Sequence, residues 1–194
     1  MDTDEILISN ILNGDTDSFS NLVLRYKDRI FAFLLKMTFS KDDAEELLQE
    51  VFINVYKNLY RYNSNWKFST WIYKIAANSF KNYYKKKKRL SQLETIHDFN
   101  DISNMLQSVE DCPEVVFERK EDYLSVVRII NSLKADQRIA LVLKYIKGFS
   151  FKEIGEILNI SPEAAKMKVQ RAKESICKQY GKHRKGGFSY EMQL

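Results

Sequence analysis

Between Val51 and Leu90, forty residues pass without an Asp or Glu, yet ten Lys or Arg and eleven of the chain's twenty-five aromatic residues fall in the same stretch. The cations are Lys57, Arg61, Lys67, Lys74, Lys81, Lys85, Lys86, Lys87, Lys88 and Arg89, and both tryptophans, Trp66 and Trp71, lie among them. Cations neutralise phosphates and flat rings stack on unpaired bases, so this mixture suits a nucleic acid with exposed bases. A basic helix whose rings are core would account for some of the aromatics, but not for the missing acids. Other chemistry is poorly served. His97 and His183 stand far from each other, Cys112 and Cys177 are isolated, and no glycine-rich phosphate loop exists. No catalytic cluster, metal site, cofactor or disulfide framework is expected.

Charge is blocked along the chain. Residues 1–50 carry five basic and eleven acidic side chains, net −6; residues 51–90 are net +10. Residues 91–125 hold two basic and nine acidic groups, net −7, and residues 126–194 hold fourteen basic and six acidic, net +8. The total of +5 conceals this alternation. Two basic blocks imply two contacts with a polyanion. A membrane surface would attract them too, but basic interfacial helices show a cleaner apolar face. No apolar run approaches the roughly 20 residues needed to span a bilayer, and the acidic start MDTDEILISN lacks the pattern of a signal sequence.

Six Gly and two Pro in 194 residues leave little turn chemistry, which argues for helices. The spacing predicts a short helix over 4–12 with Ile6, Leu7, Ile11 and Leu12 apolar. Asp15 or Asp17 caps the next, whose apolar positions are Phe19, Leu22, Val23, Ile30, Phe31, Leu34 and Leu35. Ser40 caps a third, with Asp42, Asp43, Glu45 and Glu46 in its first turns and Ala44, Leu47, Leu48, Val51, Val55 and Leu59 buried. Arg61–Asn65 reads as a loop, and Ser69 starts a fourth helix. Its apolar face includes Trp71, Ile72, Ile75, Ala76 and Phe80. Residues 90–113 lose the pattern and read as a flexible linker. Periodicity resumes from Val115 to Leu133, and a helix over 135–147 is closed by Gly148.

Ser150 and Glu153 form a capping box that opens a helix over Phe151–Leu158. Ser161-Pro162 opens another, Ser as cap and Pro in the first turn. Ile154, Leu158, Ile160, Ala165, Val169 and Ile176 can share one core, and Gly155 lets the two helices approach. The second helix presents Lys166, Lys168, Arg171 and Lys173 outward, as a helix entering the DNA major groove would. A plain helical hairpin has the same spacing, but not that basic face.

Residues 133–177, LKADQRIALVLKYIKGFSFKEIGEILNISPEAAKMKVQRAKESIC, resemble region 4 of extracytoplasmic-function (ECF, group 4) bacterial sigma factors of the sigma-70 family. Residues 19–89 resemble region 2, notably in DDAEELLQEVFINVYKNL and KFSTWIYKIAANSFKNYYKKKKR. One helix-turn-helix is a common motif; both blocks in this order are specific. The resemblance implies an all-α fold of two small helical domains joined by a flexible linker: region 2 over 1–89, a linker over 90–113, region 4 over 114–180 and a tail over 181–194.

It also implies partners: the β′ clamp helices and β flap of RNA polymerase core, promoter DNA, and an anti-sigma factor, all met in the cytoplasm. Glu46, Leu47, Gln49, Glu50, Phe52 and Ile53 would bind core. Arg61, Tyr62, Asn63, Asn65, Trp66, Lys67, Lys74, Asn78, Lys81, Asn82, Tyr83, Lys85 and Lys86 would open and hold the −10 region. Lys152, Ser161, Glu163, Ala164, Lys166, Met167, Lys168, Gln170, Arg171 and Lys173 would serve the −35 element. Where the family's recognition helix commonly has Thr, Val and Ser, this chain has Ala164, Ala165 and Met167, so the promoter sequence is not set by the resemblance. An apolar Ala or Met can meet a thymine methyl. The function implied is promoter recognition and melting for the polymerase rather than enzymatic activity. The rival reading is a stand-alone helix-turn-helix regulator, which binds duplex without core enzyme; a non-specific nucleic-acid chaperone would show no sequence preference.

Overall fold

Local cap chemistry sets most helix starts. The computed structural model describes residues 3–93 and 127–187, and the side chains of 3–90 and 127–179. Helix α1 (Asp4–Leu12) begins at Thr3, whose hydroxyl accepts from the Ile6 N–H. Helix α2 (Thr16–Thr38) begins at Asp15, whose carboxylate accepts from the Asp17 and Ser18 N–H groups at 3.0 and 3.3 Å. These bonds, the Ser18 side chain first among them, hold the Asp15 pKa below its ordinary value. Helix α3 (Lys41–Asn58) begins at Ser40, which accepts from the Asp43 N–H. A single 3₁₀ turn, Leu59–Arg61, leads into a loop, and helix α4 spans Phe68–Leu93. It continues past the point where a linker was expected at 90. The rest of that linker, with the periodic segment through residue 126, lies outside the described residues.

Two compact units result, the first formed chiefly by the chain up to His97 and the second chiefly by the chain from Asp98. In the first, Leu22, Ile30, Phe33, Leu34 and Met37 of α2 are buried with Ala44, Val51 and Val55 of α3 and Phe68, Ile72, Ala76 and Phe80 of α4. Edge-to-face pairs Tyr26–Phe68 and Phe33–Tyr73, at 5.2 and 5.3 Å between centroids, join α2 to α4. Asp4 ties α1 down: it takes hydrogen bonds from the Arg25 guanidinium and the Tyr26 hydroxyl, both at 2.5 Å. That geometry turns Leu7 and Ile8 inward and leaves Ile6 and Leu12 about half exposed, unlike the apolar face expected from the spacing.

In the second unit, residues 127–132 are helical, followed by α5 (Ala135–Tyr145), α6 (Phe151–Leu158) and α7 (Pro162–Gly187). Buried Arg138 donates from Nη2 to the Asn131 carbonyl at 2.7 Å, fixing the 127–132 segment to α5. Gly148 takes a φ of +74°, which lets the Phe149 N–H turn back to the Leu143 carbonyl. The capping box forms: Ser150 N–H to Glu153 Oε2 at 2.9 Å and Glu153 N–H to Ser150 Oγ at 3.2 Å. Gly155 lets α6 approach the turn and the start of α7, because a Cβ there would sit 2.7 Å from the Ile160 carbonyl oxygen and 3.4 Å from the Pro162 nitrogen. Helix α7 continues through residues 181–187, the first part of the segment expected as a tail. Among the described residues there is no strand, and no helix is long and apolar enough to cross a membrane.

Candidate nucleic-acid interface

Helical periodicity decides which side chains of α3 face out. Glu46, Gln49, Glu50 and Ile53 share one exposed face, with Ile53 53% accessible at its centre. Leu47 and Phe52, expected beside them in the polymerase contact, are buried in this structure. Leu47 falls in register with Val51 and Val55 on the core side. Phe52 forms part of the lining of a surface hollow of about 480 Å³ with Phe19, Ile53, Tyr56 and Lys57. Sequence reasoning missed that hollow, because Phe19 keeps core spacing on α2; its ring stands edge-on to Tyr56 at 4.9 Å. Glu50 accepts a hydrogen bond from Ser79 on α4 at 3.1 Å, so the outward face of α3 is joined to the helix behind it.

The loop between α3 and α4 holds one tryptophan ring in the open on a fixed backbone. Trp66 is 50% exposed. Its N–H donates to the Asn63 carbonyl at 3.1 Å, and its own carbonyl accepts from the Tyr62 hydroxyl at 2.5 Å. Asn63 Oδ1 takes the Asn65 N–H, closing an Asx turn. Arg61, Asn63, Asn65 and Lys67 are exposed around it. Tyr62 is half-buried, edge-on to Phe68 and Trp71 at 5.4 and 5.5 Å, and burial raises its pKa. Its ring supports the loop more than it offers a stacking face. Tyr60, not singled out from the sequence, is 64% exposed with the Arg61 guanidinium 5.2 Å from its ring centre. Its place in an acid-free run was the available signal.

Along α4, Lys74, Asn78, Lys81 and Lys85 recur at helical spacing, with Asn82 and Lys86 alongside; all are exposed except half-buried Lys81. Phe80 is core, as its spacing requires. Tyr83 departs from expectation. Its hydroxyl donates to Asp43 Oδ2 on α3 at 2.7 Å and receives the Lys87 ammonium at 3.2 Å. Burial, then the Asp43 bond, push its pKa up to about 12. Tyr83 is a brace between α3 and α4.

In the second unit Lys152, Ser161, Glu163, Lys166, Met167, Gln170, Arg171 and Lys173 are exposed and Ala164 is half-buried. Ser161 is engaged as cap, accepting from the Ala164 N–H at 3.1 Å. Gln170 donates to Glu174, and the Lys173 ammonium lies 5.9 Å from the Tyr145 ring centre. Lys168 is half-buried and bound to Asp136 Oδ2 of α5 at 2.9 Å. Among the described residues no group of His, Cys, Asp and Glu could hold a metal ion.

Residues 22–90 match the family Sigma-70 region 2, and residues 123–176 match Sigma-70, region 4. The chain belongs to the sigma-70 family. It is 35% identical to the ECF RNA polymerase sigma factor SigW of Bacillus subtilis (strain 168), over 89% of this chain and 94% of that one. It is 31% identical to the ECF RNA polymerase sigma-E factor of Escherichia coli (strain K12), over 90% and 92%. Its fold is similar to that of CnrH, solved with the cytosolic domain of CnrY, at a TM-score of 0.66 and 19% identity over 93% of this chain and 98% of that one. The sigma factor RpoE of Bartonella quintana, solved with the anti-sigma factor NepR, gives 0.59 and 19% over 86% and 98%. This sigma factor is an alternative, ECF-type one that directs transcription initiation; it is not an enzyme. A stand-alone regulator would share only the helix-turn-helix half.

Proposed function

We propose that the outward face of α3 docks on the β′ clamp helices of RNA polymerase core, that the 61–67 loop and α4 open and hold the −10 region, and that α7 reads the −35 element as duplex. The observation that carries this reading is the half-exposed Trp66 ring, held on a fixed loop immediately before the cationic stripe of α4. Strand separation costs about 1–2 kcal/mol per base-pair step. Stacking on an aromatic ring returns roughly 1–3 kcal/mol per base. One well-placed ring therefore offsets the opening of one step, and Lys74, Lys81, Lys85 and Lys86 hold the strand's phosphates without reading sequence. Arg61, Asn63, Asn65, Lys67, Asn78 and Asn82 surround the captured base.

On α7, Glu163, Ala164 and Met167 sit where base contacts concentrate, and Lys166, Arg171 and Lys173 meet phosphate or base edges. Lys152, Ser161 and Gln170 flank them. The domain partition at 1–89 and 114–180, a β-flap contact by the second unit, action in the cytoplasm and control by an anti-sigma factor belong to the same reading. The complex of the sigma factor RpoE with the anti-sigma factor NepR supports the last.

The core contact is tested by a pull-down with polymerase core. Glu50→Lys lowers retention by about tenfold or more, the loss expected when a charged interface group is reversed. Glu50→Gln, which still accepts from Ser79, separates loss of charge from loss of that hydrogen bond. Equal retention of Glu50→Lys and wild type contradicts docking through this face.

A further inference from the structure

Between the start of α5 and the flank of α7 lies a cleft of about 420 Å³ lined by Lys134, Ala135, Asp136, Gln137, Lys168 and Arg171. Three cations around one hollow would suit a DNA phosphate, but a carboxylate stands among them. Asp136 Oδ2 holds the Lys168 ammonium at 2.9 Å, across 32 residues of sequence. The pair adds little to stability. Both side chains are partly exposed, and exposed pairs contribute little. The helices are already packed through buried Ile139 and Leu143 of α5 and Ala165, Val169 and Ala172 of α7.

What the pair changes is the field at the edge of the duplex-facing helix. Lys168 sits between Lys166 and Arg171, and its ammonium is drawn toward α5 instead of standing with theirs. A phosphate entering the cleft would meet the Asp136 carboxylate as well as the cations. We infer that Asp136 attenuates DNA binding by the second unit, withholding Lys168 from the phosphate backbone so that promoter contacts rest on the remaining face of α7. This rests on the reading of α7 as the duplex-facing helix. An acid in the first turn of α5 also interacts with the helix dipole. That bland role leaves DNA affinity and its salt dependence unchanged.

The test is binding of the full chain, assembled with polymerase core, to a promoter-containing DNA duplex across salt, with wild type, Asp136→Asn, Lys168→Met and the double variant. Each phosphate neutralised steepens the dependence of log affinity on log salt by about 0.9. Asp136→Asn is expected to steepen the slope by about that amount, losing roughly threefold more affinity than wild type between about 50 and 200 mM salt. Lys168→Met is expected to leave the wild-type slope unchanged and to abolish the gain in the double variant. Equal slopes for wild type and Asp136→Asn overturn the inference, as does a Lys168→Met change that flattens the wild-type slope. Absence of measurable binding by Asp136→Asn overturns it too. Run-off transcription with core polymerase reports separately on the sigma-factor reading, so the two can fail independently.

Discussion

At the scale of single residues, exposure and hydrogen bonding divide the aromatics of the acid-free run into those that pack and those that remain available. Phe68 and Phe80 are core, Tyr62 and Tyr83 are supports, and Trp66 and Tyr60 present their rings. Trp66→Ala is expected to weaken promoter opening by about 5- to 150-fold, the equivalent of about 1–3 kcal/mol of stacking. The measurement is the fluorescence of 2-aminopurine placed in the −10 strand of a holoenzyme complex; an unchanged signal would remove Trp66 from the base-capturing role. The sequence showed which residue types were present, but not this division. Tyr83 meets Asp43 forty residues away and Lys168 meets Asp136 thirty-two away, and spacing along one helix cannot report such partners.

At the scale of elements, the starts were legible because their chemistry is local. Asp15, Ser40, Ser150 and Ser161 each cap within three residues of themselves, as their types and positions indicate. Helix ends were less legible: α4 runs past 90 because its lysine-rich last turns hold no glycine or proline, and α7 runs past 180 straight through Gly181. The turn of the helix-turn-helix depends on Gly155, since its neighbours are the Ile160 carbonyl and the backbone of Ser161 and Pro162. Backbone atoms cannot move aside as a flexible side chain can. Gly155→Ala is expected to destabilise the second unit by about 1–3 kcal/mol, overpacking exceeding the gain in helix propensity. Thermal melting followed by circular dichroism would show a lower transition. An unchanged or higher one would mean that the turn relaxes freely.

At the scale of the whole molecule, the alternating charge blocks acquire a physical arrangement. Acids of the first block cap and cover the α3 face, and the cations that follow line α4, so the two sit on adjoining helices linked by Glu50–Ser79 and Asp43–Tyr83. The second basic block is carried chiefly by α7 in a separate unit. Two polyanion contacts in one chain fit a protein that grips a promoter at two places while polymerase supplies the chemistry. The most direct measurement is run-off transcription with purified polymerase core on a library of promoter fragments, with and without this chain. The account predicts discrete transcripts from a subset of templates only when the chain is present. Transcript patterns that are identical in its presence and absence would contradict it.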